Sequence, residues 1–328
     1  MWTLNIGSGL TVCLIISQGN VSGDISCSFE GWENNMIYSD RYTMFMKDLG
    51  SKKTKSFAVK GIGIAYADYH YREGSIYWSD QIQKTICRMR CHSSAVLQYE
   101  EIIRLDNTKP LGIAVDSTNN HVYWSEQKVD GISPTTASIQ RCDLDGSNKT
   151  VILDSVKSFG VLLLDTTNRW LYFNDFSSHT IEKSKLDGSS KQTIITNVGT
   201  PYGLAIDYSE NRIYWTDTSK SYIQSATLDG TDVRTISVSL PPDFRSLLVM
   251  GLDLYGSNLY VVDQNSGVYR VAKNQDNAVP VNLTENLIGV FGVKLVKKEG
   301  NGSASTTTID TFGIALLTEV LMLGLIRV

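Results

Sequence analysis

Six acidic side chains recur along the chain, each at the end of a short apolar run. Carboxylates placed in this way could act in general acid–base catalysis or bind a metal ion. The six are Asp40, Asp80, Glu126, Asp175, Asp217 and Asp263. An acid that occurs once per repeat is more simply explained by a local role, in which the carboxylate accepts hydrogen bonds from backbone N–H groups just after a strand. We therefore expect these acids to cap turns.

Other residue types that carry chemistry are scattered. Once Cys13 is removed with a signal peptide, four cysteines remain, which allows two disulfides in any of three connectivities: Cys27, Cys87, Cys91 and Cys142. No second ligand pair stands at zinc-binding spacing, and neither a nucleophile elbow nor a phosphate-binding glycine loop is present in the sequence. We predict no catalytic residue, no metal site and no cofactor.

The acids belong to a repeated motif of a strand ending in an aromatic, a small residue and an acid. The third-from-last position of the six copies recurs every 40 to 49 residues, at Tyr38, Trp78, Trp124, Phe173, Trp215 and Val261. A unit of this length is too small to bury its own apolar face, so a repeat of this period indicates a propeller, a solenoid or an array.

Three further strands accompany each motif strand. A run of small and β-branched residues, such as Gly112 to Asp116, precedes it and suits a strand buried on both faces. A third strand ends in Leu-Asp-Gly in three units, and a fourth follows; Asp-Gly between two β runs is a strong hairpin signal. The pattern predicts an all-β, six-bladed β-propeller built from four-stranded antiparallel blades.

The order of elements at the two ends predicts how the ring closes. The first motif strand, around Met36 to Asp40, has no inner strand before it, and the last inner strand, around Gly292 to Val296, has no motif strand after it. Together the two halves complete one blade. Pairing of the start of the domain with its end would protect edges that are otherwise open to aggregation.

These residues resemble the YWTD repeats, also called low-density-lipoprotein-receptor class B repeats, over residues 32–298. Trp78, Trp124 and Trp215 keep the Trp of that motif, whereas Val261 and Val262 replace Trp-Thr in the sixth copy. The resemblance implies a six-bladed propeller that binds proteins outside the cell. The first blade is similar to the opening blade of the receptor-related proteins that act as Wnt co-receptors.

The composition and the two ends suggest an exported chain. The formal charge of −4 over 328 residues offers no basic surface for nucleic acid. We expect a signal peptide at 1–19, a leader at 20–31, a small-residue linker at 299–311 and, at 312–328, a hydrophobic tail that is a GPI signal or a truncated membrane segment. N-glycosylation sequons lie at Asn20, Asn148, Asn282 and Asn301.

The longest departures from the repeat indicate where a ligand would bind. Loops that join strands two to three, and strands four to one, emerge on one face of the ring, and insertions at 127–137 and 239–246 are of these two kinds. Aromatics and Arg dominate interface energetics. We predict a protein- or peptide-binding surface that includes Lys128, Asp130, Phe159, Tyr202, Phe244 and Arg245; the alternative is that these insertions are merely tolerated.

Three functions compete at this point. The leading hypothesis is a non-enzymatic extracellular binding module, an accessory or decoy receptor in Wnt-type signalling. The second is a matrix-binding protein of the nidogen type. The third, a propeller hydrolase, needs a calcium ion held in the central channel by polar residues of several inner strands. We expect those strands to carry Ala, Ile, Val and Leu at their centres, with no polar set pointing one way.

Overall fold

The computed structural model describes residues 35–40, 43–58, 63–90, 99–130, 133–156, 158–217, 222–236, 238, 249–275, 277–284, 290 and 292–297. Several predicted features lie outside these residues and stay predictions: the signal peptide, leader, linker and tail, Asn20, Asn301, Cys27, Cys91 and the insertion with Phe244 and Arg245. The described part of the chain contains no helix with the length and hydropathy of a membrane span.

Six four-stranded antiparallel sheets form the blades, which confirms the predicted fold class. Blade one consists, from the inside outward, of β24 (Gly292–Leu295), β1 (Asn35–Ser39), β2 (Thr43–Asp48) and β3 (Thr54–Ala58). Blade two contains β4 (Ile64–His70), β5 (Ser75–Asp80), β6 (Thr85–Arg90) and β7 (Tyr99–Arg104), and blade three contains β8 (Thr108–Asp116), β9 (His121–Asp130), β10 (Ser133–Asp143) and β11 (Thr150–Val156).

Blade four contains β12 (Phe159–Asp165), β13 (Trp170–Asp175), β14 (Thr180–Lys185) and β15 (Gln192–Ile195). Blade five contains β16 (Leu204–Asp207), β17 (Arg212–Asp217), β18 (Tyr222–Thr227) and β19 (Arg234–Ile236). Blade six contains β20 (Val249–Tyr255), β21 (Asn258–Asp263), β22 (Gly267–Ala272) and β23 (Val281–Asn282). The second strand of every blade carries the repeated motif.

The ring closes as predicted, because the last strand completes the first blade. β24 pairs antiparallel with β1, with Tyr38 opposite Val293 and Met36 opposite Leu295. The pairing continues beyond the strand, since the N–H of Val296 donates to the carbonyl oxygen of Asn35 at 2.9 Å. Both ends of the domain therefore share one sheet.

The aromatic positions of the motif form the core between blades. Trp78, Trp124 and Trp215 are each at most 1% exposed. Trp124 belongs to a cluster with Tyr77 and Ile86 of the preceding blade, so its indole fills the space between two sheets. Burying one large apolar side chain contributes about 1.5–3 kcal/mol, which makes these contacts the main force that holds neighbouring blades together.

The recurrent acids cap turns, as their repetition predicts. The Oδ1 atom of Asp80 accepts hydrogen bonds from the N–H groups of Ile82 and Gln83 at 2.9 and 2.8 Å. Asp175 bonds the turn after its own strand in the same way. Glu126 departs from this pattern, because its Oε2 atom accepts the indole N–H of Trp124 at 2.9 Å.

The small residue of the motif links one blade to the next, a role that the sequence did not reveal. The Ser125 hydroxyl accepts the N–H of Gly112 in its own blade at 2.9 Å and donates to the carbonyl oxygen of Gly160 in the next blade at 2.8 Å. The Asn174 amide does the same between blades four and five, with the N–H of Val161 and the carbonyl oxygen of Pro201. In these blades the polar residue of the motif therefore connects the inner strand of its own blade to the next blade.

The sequence indicated a loop for the insertion in blade three. Its described residues instead continue the sheet. β9 and β10 contain 10 and 11 residues, whereas the motif strands of blades two and four contain 6. The added pairs, Lys128 with Thr136 and Asp130 with Ser133, project about 13 Å beyond an ordinary blade. We call residues 126–130 and 133–138 the ribbon.

Cys87 and Cys142 are free thiols buried between strands, so none of the three two-disulfide pairings is formed. Burial raises the pKa of the Cys87 thiol to about 11 and that of Cys142 to about 12. At neutral pH both remain protonated and unreactive.

We expect iodoacetamide at pH 8 to leave Cys87 and Cys142 unmodified in the folded protein and to alkylate both after denaturation, as read by peptide mass spectrometry. The Cys87→Ser and Cys142→Ser variants identify which alkylated peptide contains each cysteine. Recovery of either residue in a disulfide, or its alkylation under native conditions, would contradict this expectation.

Candidate functional site

The two faces of the ring differ in what their connections carry. On the upper face, strand two connects to strand three and strand four connects to the next blade. The lower face carries the Leu-Asp-Gly turns. Gly146 in one of these turns has a φ of 87°, and a Cβ there would also meet the carbonyl oxygen of Ile102 at 2.2 Å. The lower turns are therefore tight and leave little room for variation.

Four of the six predicted ligand-binding residues lie at the upper ends of their strands, and two lie outside the described residues. Lys128 and Asp130 belong to the ribbon, Phe159 is the first residue of β12, and Tyr202 precedes β16. Phe244 and Arg245 are the two outside the described ranges. Chain topology thus brings the four to one face, and their role in binding stays a prediction.

A groove of about 240 Å³ runs along the base of the ribbon, across all four strands of blade three. Glu126 and Lys128 lie on the same side of β9 as Trp124, whose partners belong to blade two, so the groove opens toward that blade. Six of its seven lining residues carry polar or charged side chains; the seven are Thr108, Glu126, Lys128, Thr136, Ala137, Ser138 and Asp154.

An aromatic pair lies at the upper mouth of the central channel. The rings of Tyr202 and Phe176 are 5.0 Å apart and inclined at 46°. Burial raises the pKa of the Tyr202 phenol. Sequence reasoning missed Phe176, although a signal was present: it follows the acid of the motif directly, where the other blades carry Arg, Gln or Thr.

Tyr66 crosses the central channel and blocks it below this pair. Its hydroxyl donates to the carbonyl oxygens of Tyr202 at 2.8 Å and of Met250 at 3.1 Å. Tyr66 belongs to blade two, whereas Tyr202 leads into blade five, which lies opposite in a ring of six. Burial raises the pKa of the Tyr66 phenol far above its usual value, so the group is a neutral donor. The upper mouth is therefore a shallow depression rather than an opening.

Below Tyr66 the inner strands do carry a polar set, and the expectation of purely apolar centres is wrong. The Lys294 ammonium lies 3.1 Å from Oδ1 of Asp68 and also interacts with Asp253, which flank it from the two neighbouring blades. Burial alone would lower the pKa of Lys294, but these two carboxylates outweigh it and raise the pKa. The two carboxylates come together because, at the inner-strand position opposite the motif Tyr, blades two and six have Asp whereas blades three and five have Ala.

This set bears on the hydrolase hypothesis. Among the described residues, no group of three or more His, Cys, Asp or Glu side chains is arranged to bind a metal ion. In the channel the ammonium groups of Lys294 and Lys297 already balance the two carboxylates of Asp68 and Asp253. This charge arrangement gives no support to a calcium-dependent reaction there.

Comparison with known proteins identifies the repeat. The profile of the low-density lipoprotein receptor repeat class B matches residues 169–208 and 211–240. These residues form most of blades four and five, whose geometry the other four blades share. The chain is a YWTD-repeat propeller.

Relatives of this YWTD propeller match only part of it. Protein cueball of Drosophila yakuba is 31% identical over 103 residues, which are 31% of this chain and 15% of cueball. Nidogen-2 of Mus musculus is 33% identical over 85 residues, which are 26% of this chain and 5% of nidogen-2. The matched regions are thus small parts of these relatives.

Two solved structures share the fold of the propeller. A nidogen/laminin complex contains a chain that superposes with a TM-score of 0.66 and 19% identity, covering 79% of this chain and 97% of that one. A luciferin-regenerating enzyme superposes with a TM-score of 0.57 and 16% identity, covering 79% and 92%. At these identities the likeness shows the architecture alone.

Two predicted glycosylation sequons fall within the described residues of the propeller. Asn148 is exposed just after a lower turn, where its side-chain amide donates to Asp143 at 2.7 Å. Asn282 is exposed in the outer strand of blade six. Neither lies on the ribbon or beside Tyr202. Asn148 is on the lower face, whereas the Asn282 amide donates to the carbonyl oxygen of Ser266 at 3.2 Å, in an upper-face turn at the outer edge of blade six.

Proposed function

We propose that this propeller is an extracellular, non-enzymatic module that binds a protein or peptide on its upper face. The observation that carries the proposal is the ribbon, a paired extension of one blade beside an aromatic mouth. Recognition commonly resides on such projections from a fixed scaffold. Lys128 and Tyr202 are proposed to supply charged and aromatic groups there, and Asp130, Phe159, Phe244 and Arg245 are proposed to extend the surface.

The extracellular assignment rests on the class B repeats and on the partial match to nidogen-2. The proposed signal peptide at 1–19 would export the chain, and the tail at 312–328 would hold it at the outer face of the plasma membrane. The sequons Asn20, Asn148, Asn282 and Asn301 are proposed as glycan acceptors. These features together describe a secreted or surface-held glycoprotein.

Two identities fit this module. One is an accessory or decoy receptor in Wnt-type signalling, supported by the likeness of the first blade to the Wnt co-receptors. The other is a matrix-binding protein, supported by the match to nidogen-2 and by the fold shared with a chain of a nidogen/laminin complex. Release of the protein from cells by a phosphatidylinositol-specific phospholipase would favour the first, and its absence from membranes the second.

Binding to immobilised laminin and to Wnt-pathway ectodomains tests the module directly. We expect Tyr202→Ala, or removal of residues 129–134 with a Gly-Asn turn in their place, to weaken binding at least about tenfold, because such anchors carry most of the energy of an interface. Surface plasmon resonance on the full secreted chain measures the change, and unfolding midpoints check that each variant folds. The matched control is Asp187→Asn in a lower turn. Unchanged affinity in both upper-face variants would overturn the proposal.

A further inference from the structure

We propose that the groove at the base of the ribbon receives a cationic side chain, an arginine, from the partner. This inference rests on the proposed function and assigns a chemistry to one part of the same surface. The groove is formed by Glu126, Asp154 and Lys128 together with the hydroxyl side chains of Thr108, Thr136 and Ser138.

One carboxylate of the groove has no partner among the described residues. Asp154 is exposed on β11 and has no hydrogen bond or ion pair within them. Lys128 also lines the groove and has an interaction of its own. The groove therefore offers an acceptor that no described residue of this chain uses, and a cation is its complementary ligand.

Glu126 adds a second, fixed carboxylate. Its side chain is 9% exposed, and its Oε2 atom is held by the indole N–H of Trp124 at 2.9 Å, with the Lys149 ammonium 3.7 Å away. The Oε1 atom has no hydrogen bond within the described residues. Since the backbone of β9 and the buried indole hold this carboxylate in place, little side-chain entropy is lost when it binds a ligand.

The size and shape of the groove favour one long side chain. Its volume of about 240 Å³ is below the roughly 300–1,000 Å³ of sites for small molecules and cofactors. Thr108 and Thr136 lie opposite Lys128, and Ser138 lies opposite Glu126, so hydroxyl side chains share the groove with the two carboxylates. A planar guanidinium with five N–H donors can use several such acceptors at once. Lysine, with a compact ammonium, would satisfy fewer of them.

The test uses N-acetyl-arginine amide as the probe and N-acetyl-citrulline amide, which has nearly the same shape but no charge, as its control. Each is titrated into the full secreted chain labelled with ¹⁵N. We expect the arginine probe alone to shift the backbone amides of Thr108, Lys128 and Asp154. We expect Asp154→Asn to weaken this binding about fivefold, as for a partly exposed ion pair. Asp145→Asn, which makes the same charge change on the lower face of blade three, should leave it unchanged.

Equal shifts with citrulline, no shifts at the ribbon, or full affinity in Asp154→Asn would each overturn the inference. The outcome is separable from that of the proposed function. If macromolecular binding falls in Tyr202→Ala but arginine does not bind the groove, the module stands and the arginine site fails. If arginine binds but Tyr202→Ala and the shortened ribbon bind the partner normally, the upper-face function fails.

Discussion

Replacing Asp253 with alanine is expected to lower the free energy of unfolding by about 2–4 kcal/mol, because a buried carboxylate is removed from a backbone N–H and from two partly exposed lysines. Asp253 is 7% exposed on the inner strand of blade six. Its Oδ2 atom accepts the N–H of Leu295 on β24 at 2.8 Å, and its Oδ1 atom binds the Lys297 ammonium at 2.8 Å. The side chain thus fastens the strand that closes the ring.

We call the contact between blades six and one the seam. The substitution should have a large effect because the described residues of the seam lack the polar link that the motif supplies elsewhere. In blades three, four and five the small polar residue of the motif, Ser125, Asn174 and Thr216, hydrogen-bonds an inner strand. Blade six has Val262 at that position, which offers no polar atom. Without Asp253, Lys294 would also lose one of its two flanking carboxylates.

The same carboxylate predicts loss of stability in acid. Burial by itself would raise the pKa of Asp253, but Lys297, Lys294 and the Leu295 N–H outweigh burial and lower it. Because the folded-state pKa lies below the unfolded value of about 3.9, the contribution is present above that value and is lost as the pH falls through the folded-state pKa. Asp253→Asn should therefore show a shallower decline in stability below about pH 4 than the native chain.

Urea unfolding followed by tryptophan fluorescence, at neutral pH and at intervals below it, measures both effects. Asp145→Asn on the lower face serves as the control, and its midpoint should match that of the native chain. A change below about 1 kcal/mol for Asp253→Ala, the size of a surface pair, would show that the seam does not depend on this side chain.

Replacing Tyr66 with alanine is expected to destabilise the propeller by about 3–5 kcal/mol, as for other large aromatics removed from a core. The ring contacts two separate core clusters, one between blades four and five and the other between blades two and three. Its hydroxyl joins Tyr202 and Met250 on the far side of the ring. No neighbouring side chain can collapse into a space on the axis of the ring without moving a whole blade.

The Tyr66→Phe variant measures the contribution of the hydroxyl alone, because it keeps the aromatic ring. It should cost about 1–3 kcal/mol, because two buried carbonyl oxygens lose their donor while the channel stays filled. Thermal unfolding of both variants measures the difference, with Tyr99→Phe on the exposed outer strand of blade two as the control. If Tyr66→Ala were no less stable than Tyr66→Phe, the ring of Tyr66 would have no structural part in the channel.

Ligand binding offers a second measurement on the same variants. The carbonyl oxygen of Tyr202 is held by Tyr66, and the Tyr202 ring packs on Phe176 at the upper mouth. We therefore expect Tyr66→Phe to loosen the mouth while leaving the ribbon in place. A partner that touches both should bind Tyr66→Phe more weakly, through faster dissociation.

The sequence alone determined the number of blades, the four strands in each and the closure of the ring. These features repeat, and each copy is specified by contacts within about one repeat length, so a local pattern suffices to predict them. The turn-capping role of the acids follows for the same reason: Asp80 and Asp175 bond N–H groups two and three residues away.

The ribbon shows where local reasoning ended. Residues 127–137 depart from the repeat between strands two and three, which indicated an inserted loop. The structure continues the sheet because residues 108–110 of β8 lie beside β9 and give it a paired neighbour, as with Thr108 opposite Lys128. Whether an irregular segment extends a strand depends on the neighbouring strand that the fold supplies. The sequence of the segment itself does not show that neighbour.

Tertiary structure alone decided what fills the channel and what fastens the seam. Tyr66 meets partners 136 and 184 residues away, and Asp253 meets Leu295 at a separation of 42. In a closed ring, residues on different inner strands come together according to their height along the axis and the order of the blades. Neither quantity is written in any single repeat, and both are fixed only when the last strand pairs with the first.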